Sequence, residues 1–536
     1  MQLQSLEVLN HSRIPDVAFD LSGHMVLVGA NACGKSSLLN LIGLALTGSR
    51  ALLYREITPE SLRDRSRALT ARLTFSSLSE GERGEFAHEL ELNAAGESTL
   101  QLNIVAEFDE RVKELKIDRK LGRDGAEVPV SNLRLASVPF VHLGADRKMH
   151  IALGSGGGSV IRQLLRGVEL GDDGVAIRKA IDQVHQVVQD ASGVRTLKKD
   201  VAESLDRVLP TPVAADDVDI DLPSDRKEDP LADFEVKLRG QESPSAFRDN
   251  SDGYRSLATI GLQLAAPQSL SILALDEPEV HLHPAAQRRL AKALREAAPQ
   301  ALIATHSTTV LAQFDPAEVV VMAGDGNLRQ FHGDTISPRH AVQRWLPSVL
   351  EPLTSRGLIA VEGPSDVVAV REVCRALGID LDRESISVYP VGGYPNFQLL
   401  YTLLGPSGFD VPMVTIADGD ESAAVAGYLR VAPDDLQAAH VYICREDLED
   451  ECSKALGAGE FARLLSDAGV VKMETLLGRA GVADPADLTE EHVARAARAG
   501  GKIDSALALA GKLDQRQANA IVPVASAIRD LLGRLV

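Results

Sequence analysis

Apolar residues recur along this chain with two different periods, and the changes of period mark its elements. His24-Met25-Val26-Leu27-Val28 is short, apolar and ends at a glycine, as a buried strand feeding a loop does. Leu3–Leu9 and Val17–Leu21 read as shorter, mixed strands before it, and Ser37–Leu46 has helical spacing after it. Residues 65–145 alternate like an antiparallel β region, for example Leu100-Gln101-Leu102-Asn103-Ile104-Val105-Ala106. Helical spacing returns over 160–210 through Ile161, Leu164, Leu165, Ile181, Val184, Val187 and Val188. Gly154–Ser159 reads as a hinge, Ala214–Asp233 as an Asp- and Pro-rich linker, and Phe234–Leu238 as a strand. Helix and strand alternate over 250–322, a second αβ run begins near Arg356, and 461–536 are helical by their Ala/Leu periodicity. No internal repeat is evident.

With 536 residues the chain exceeds one ordinary core and divides into about two to four domains. An apolar fraction of 45% fits a globular protein. No apolar run approaches the roughly 18 residues of a membrane span, and the first residues lack a signal-peptide pattern, so a cytoplasmic protein that uses no membrane is expected. Cys33, Cys374, Cys444 and Cys452 are scattered and are expected to be reduced thiols. A formal charge of −20 speaks against a sequence-blind DNA binder with a basic surface. A local groove, or cations bridging carboxylates to phosphates, remains open.

Candidate chemistry sits at two strand ends in each half. Gly29-Ala30-Asn31-Ala32-Cys33-Gly34-Lys35-Ser36 matches G-x-x-x-x-G-K-[ST] between an expected strand and an expected helix, which is the context a P-loop requires. Asn31, Gly34, Lys35, Ser36 and Ser37 are therefore nucleotide-binding candidates for ATP. Lys35 would neutralise phosphates and Ser36 would hold Mg2+. Ser271–Leu275 is an apolar strand closing on Asp276-Glu277; Asp276 suits the Mg2+ shell and Glu277 suits orientation of the attacking water. In the second half Gly357–Val361 ends in Glu362-Gly363, and Val411–Ala417 ends in Asp418-Gly419-Asp420. In a parallel sheet these carboxylates share the carboxyl edge. Mutual repulsion would be relieved by Mg2+ or Mn2+, the hard cations that oxygen ligands select.

Several segments carry family resemblances. Asn250–Ser256 resembles the signature of the ABC ATPase superfamily, in its SMC-like branch, which adds Ser251 and Gly253 to the nucleotide site. Asp252 and Tyr254 depart from the usual small residues, which implies slow or conditional turnover. Ala304-Thr305-His306-Ser307 resembles that superfamily's switch histidine, with His306 toward the γ-phosphate. His281 and His283 are assigned to structure, since two loop histidines without further ligands rarely make a metal site. Glu362, Asp418 and Asp420 match the TOPRIM motifs, with Asp366 beside them and Val391-Gly392-Gly393 as the glycine turn. Tyr394 stands where related domains often have lysine, which weakens the phosphate grip expected there.

An ABC-type ATPase followed by TOPRIM is the arrangement of the OLD (overcoming lysogenization defect) family, which the chain resembles over nearly its whole length. The resemblance implies a further metal ligand within Arg445–Asp450; Glu449 is preferred, then Asp447, and a solvated acidic helix face stays open. It also implies a lysine near the metals, for which Lys502 is the candidate. The expected fold is α/β. An SMC/ABC-like head spans 1–350 with a helical insertion near 155–230. TOPRIM follows at 351–460, and a helical region at 461–536 completes the nuclease site. The implied function is ATP-regulated, two-metal cleavage of DNA in antiphage defence. Glu277, His306, Glu362, Asp418, Asp420 and Lys502 would be its catalytic residues. The implied assembly is a homodimer or larger, through heads and insertion, with room for a helicase-like partner. The rival from another class is a DNA-associated ATPase sensor whose TOPRIM domain only docks.

Overall fold

The computed structural model describes residues 1–144, 173–196 and 272–535 with short gaps, of which 333–348 is the longest, and short pieces between 199 and 264. The Gly154–Ser159 hinge, the 214–233 linker, Ser251, Asp252 and Tyr394 lie outside the described residues. The chain forms two compact units, one of residues 1–144, 271–279 and 284–536, the other of 145–270 and 280–283.

In the first unit, strict alternation builds an antiparallel sheet. Leu69–Ser76 buries Leu69, Ala71, Leu73 and Phe75 and turns the residues between them outward. It pairs with Gln2–Leu9 on one side and Ser98–Asp109 on the other. From the neighbouring strand Glu114–Leu121, Arg119 donates to the carbonyls of Ala45 and Gly48 at 3.2 and 2.8 Å. Those carbonyls end the helix Lys35–Thr47, so Arg119 satisfies acceptors that a helix C-terminus leaves unpaired.

The second sheet is nearly all parallel, and its four inner strands are buried throughout and mainly apolar, as burial on both faces demands. Its order is Leu328–Gln330, Val319–Met322, Met25–Gly29, Ala301–Ala304, Ile272–Asp276, Phe140–Leu143. Among the described residues, only Leu328–Gln330 runs antiparallel in this sheet. The third sheet is wholly parallel, in the order Ile386–Pro390, Gly357–Val361, Met413–Ala417, Val441–Ile443. Its chain path turns back between Gly357–Val361 and Met413–Ala417. Such a reversal opens a crevice beyond the carboxyl ends of the strands.

The C-terminal helices belong to the core of this third sheet. Val522–Arg534 buries Val524, Ala527, Ile528 and Leu531 within the same apolar cluster as Ile359, Val414 and Ile416 of the strands. Arg534 donates to Met413 O at 2.9 Å, and Arg356 to Leu535 O at 2.8 Å. Glu490–Gly500 buries Val493, Ala494, Ala496 and Ala497 on one face, the stripe expected of a helix packed on its side.

The second unit contributes a helix, Asp173–Asp190, and a two-stranded hairpin, Lys237–Arg239 with Pro244–Ala246. The hairpin overlaps the strand expected at Phe234–Leu238. Gly253 is helical, and a Cβ there would stand 2.6 Å from the carbonyl of His281. Among the described residues no helix is long and apolar enough to cross a membrane.

Candidate functional sites

The first site is the loop between Met25–Gly29 and Lys35–Thr47. Gly34 has φ 99°, and a Cβ there would lie 2.3 Å from the Arg13 carbonyl, so both conformation and space require glycine. Lys35 is buried and folds back on its own loop, donating to Gly29 O at 3.0 Å and Ala30 O at 2.8 Å. Asn31 and Ser36 are exposed, and Ser37 is half-buried. Beside the helix lies a polar recess of about 280 Å³, lined among others by Arg13, Ser37, Asn40, Glu56 and Glu60.

Asp276 ends its strand buried, with Oδ1 lacking any hydrogen-bond partner. An orphaned carboxylate oxygen suits a cation that arrives with a nucleotide, so these residues fit a nucleotide with a divalent cation. Glu277 follows with φ 47°, and its N–H donates to Ala304 O at 2.8 Å. The His306 ring lies 3.9 Å from Glu277, Nε2 to Oε1. His142, on the strand beside Asp276, was not singled out by sequence. Burial pushes its pKa down while the Asp276 charge opposes, and its Nε2 is unpartnered.

The second site lies at the crevice of the parallel four-stranded sheet. Ala360 and Thr415 are registered opposite each other, so two residues further on Glu362 leaves one strand where Ala417-Asp418 leaves the other. The N–H groups of Gly392 and Gly393 reach the Glu362 carbonyl at 2.9 and 3.3 Å, so the glycine turn braces that backbone. Asp366 caps the helix Pro364–Ala376 by accepting from Gly363 N at 2.9 Å. Gly419 of the D-G-D run is packed so closely that a Cβ would stand 2.4 Å from Arg445 O. That approach seats the Arg445–Asp450 segment against Asp418.

Two acids left open by sequence have different neighbours. Asp447 is the N-cap of Leu448–Leu456, accepting from Asp450 N at 3.0 Å and from Arg498 Nε at 2.5 Å and Nη2 at 2.9 Å. Burial works against its charge, but these bonds hold its pKa below the usual value. Glu449 is buried with Oε2 lacking a hydrogen-bond partner, and Lys502 Nζ stands 3.7 Å from it and 3.8 Å from Asp418 Oδ2. Lys502 is the first residue of its helix, where the backbone dipole disfavours a cation. The carboxylates outweigh both that and partial burial, and raise its pKa.

The cluster holds more carboxylate than one lysine can neutralise. Burial, then a hydrogen bond with Glu362 and the Asp366 charge, push Asp418 up to about 8. Burial pushes Glu449 up to about 7, with Asp447 and Asp366 adding to it. Burial also pushes Glu421 up to about 7, with Glu362, Asp420 and Asp366 adding repulsion, and its Oε2 is buried and unpartnered. Sequence reasoning missed Glu421, although it directly follows the D-x-D run. Asp366 is raised by burial, and Asp420 is exposed. Among the described residues no three His, Cys, Asp or Glu side chains already stand in ligating positions. The acids converge without forming a finished cage. Their oxygen-only donors and unpartnered atoms fit divalent cations. His281 and His283 are exposed loop residues.

Comparison with known proteins gives two family matches. Residues 159–312 match the family model described as an AAA domain, putative AbiEii toxin, Type IV TA system. Residues 353–420 match the TOPRIM domain of overcoming lysogenization defect protein-like proteins. The chain is OLD-like. It joins an ATPase domain to an OLD-like TOPRIM domain and ends in helices. The OLD nuclease of Thermus scotoductus is 23% identical over 457 residues, covering 78% of this OLD-like chain and 82% of that protein. The C-terminal region of the Burkholderia pseudomallei OLD protein is 24% identical over 34% of this chain and 99% of its own, with a TM-score of 0.29. An SMC head bound to the C-winged helix domain of ScpA is 15% identical over 64% of this chain and 100% of its own, with a TM-score of 0.40.

Proposed function

We propose that this chain is an ATP-regulated, divalent-metal-dependent DNA endonuclease. One observation carries the reading. Glu362, Asp366, Asp418, Glu421 and Glu449 come from three segments of the chain to the crevice of one parallel sheet, with buried oxygens on Glu421 and Glu449 that lack a hydrogen-bond partner. Similarity to a protein named OLD nuclease supports the same chemistry. Glu362, Asp366, Asp418, Asp420, Glu421 and Glu449 would hold the cations, which supply an activated water and charge relief at the leaving oxygen. Asp447, bonded to Arg498, would hold the Glu449 helix in place instead of ligating. Lys502 would steady the charge that develops on the phosphate.

At the other site Lys35 would leave its loop carbonyls for the phosphates of ATP, with Ser36 and Asp276 holding Mg2+. Ser251 and Gly253 would meet a nucleotide across a head–head pair, which makes the working form a dimer or larger. ATP would gate access to the nuclease site. The division into 1–350, 351–460 and 461–536 follows these roles, and antiphage defence is the setting the family suggests.

Plasmid nicking with Mg2+ or Mn2+ tests the reading. Glu362→Ala and Asp418→Ala should each lower cleavage at least about a hundredfold, the scale of losing a group that works only in the transition state. Cleavage that survives both substitutions removes the site assignment.

A further inference from the structure

Two acids flank Pro278, and the roles above use only the first. We infer that Glu279 is the positioning residue of the ATPase site, holding His306 so that its ring faces Glu277. The inference rests on the ATPase reading above. Glu279 Oε1 accepts from Thr305 Oγ1 at 2.8 Å and from the His306 backbone N–H at 2.8 Å. Bonds to a carboxylate are charge-assisted and stronger than neutral ones. Together with the bond from Glu277 N to Ala304 O, they fasten three successive residues of one strand end to the acidic turn.

The fastening continues beyond His306. Thr305 is fully buried, and its Oγ1 accepts from Ser307 N at 2.9 Å. Ser307 Oγ caps the next helix and donates to Gln287 Oε1 at 2.7 Å. The His306 backbone is thus fixed on both sides while its ring stays exposed, 3.9 Å from Glu277. Glu277 itself sits at φ 47°, a left-handed conformation that is strained for a non-glycine residue. The bonds made by Glu279 oppose relaxation of that turn.

The test is a set of ATPase variants with a readout that a merely structural residue would not move. Glu279→Ala should lower kcat for ATP at least about tenfold and leave KM within about threefold. Glu279→Gln, which keeps an acceptor oxygen, should recover most of that loss. In a His306→Ala background, Glu279→Ala should add less than about twofold, since it acts through His306. In nucleotide-free protein the His306 amide should exchange faster in Glu279→Ala. Should that variant fail to fold, Thr305→Val removes one of the two donors at similar volume and should be equally silent in the His306→Ala background. A kcat in Glu279→Ala within twofold of wild type, or losses that multiply in the double variant, overturns the inference alone. Absence of ATP turnover in wild type overturns the ATPase reading and this inference with it.

Discussion

At the scale of the residue, the TOPRIM-type site shows how neighbours assign work to chemically similar groups. Asp447 and Glu449 sit two positions apart, yet one is bonded to a guanidinium and the other faces an ammonium beside Asp418. Spacing alone leaves both open, because Arg498 is 51 residues away in sequence and nothing about an arginine late in a helix marks it. Arg498→Ala leaves a buried carboxylate with one backbone donor, so the protein should lose about 1–3 kcal/mol of stability by urea titration. Glu449 would also be displaced, and nicking should weaken in the same variant. Lys502→Met is expected to differ. Its side chain is 43% exposed, so the melting temperature should change little, while cleavage falls about tenfold or more. A large loss of stability in Lys502→Met would make that lysine structural.

At the scale of the element, the strand–loop–helix at the P-loop was legible from its apolar run, its glycines and the following periodicity. The expected helix Ser37–Leu46 lies within Lys35–Thr47. The antiparallel region was equally clear, since alternation over Leu69–Ser76 admits one buried face. What could not be read was how the late helices attach. Their amphipathic stripes announce a buried face but name no partner, and only the fold sets Val522–Arg534 against the parallel sheet. Glu421 was hidden differently, since an acid beside a D-x-D run reads as more solvent-exposed charge until burial is known. For the nucleotide loop, Lys35→Ala should abolish ATP binding measured by a fluorescent analogue. Glu277→Gln should bind normally and slow hydrolysis at least about tenfold. Normal turnover in Glu277→Gln would exclude a water-orienting role.

At the scale of the molecule, the raised carboxylates tie stability to pH. Asp418 is pushed up to about 8, and Glu421 and Glu449 to about 7, in each case chiefly by burial. Between about pH 4 and pH 8 these carboxyls bind more protons in the folded chain than in the unfolded chain, so what they contribute to stability falls as pH rises through that window. The metal-free melting temperature should drop between about pH 6.5 and pH 8.5, above the range in which the lowered His11 and His142 oppose the trend, and Mg2+ or Mn2+ should restore it by favouring the charged form. A melting temperature that rises over this range contradicts the burial of these groups.

The ATPase sheet and the TOPRIM sheet also share one compact unit, and Arg329 helps to join them. It is 6% exposed and donates to Leu353 O at 3.3 Å and Ser355 O at 2.9 Å. Cutting the gene at residue 350 to express the ATPase half alone would take away the Leu353 and Ser355 carbonyls that this guanidinium bonds. Insolubility of such a fragment would report the misplaced scissor mark, and an N-terminal piece extended through Arg356 should behave better.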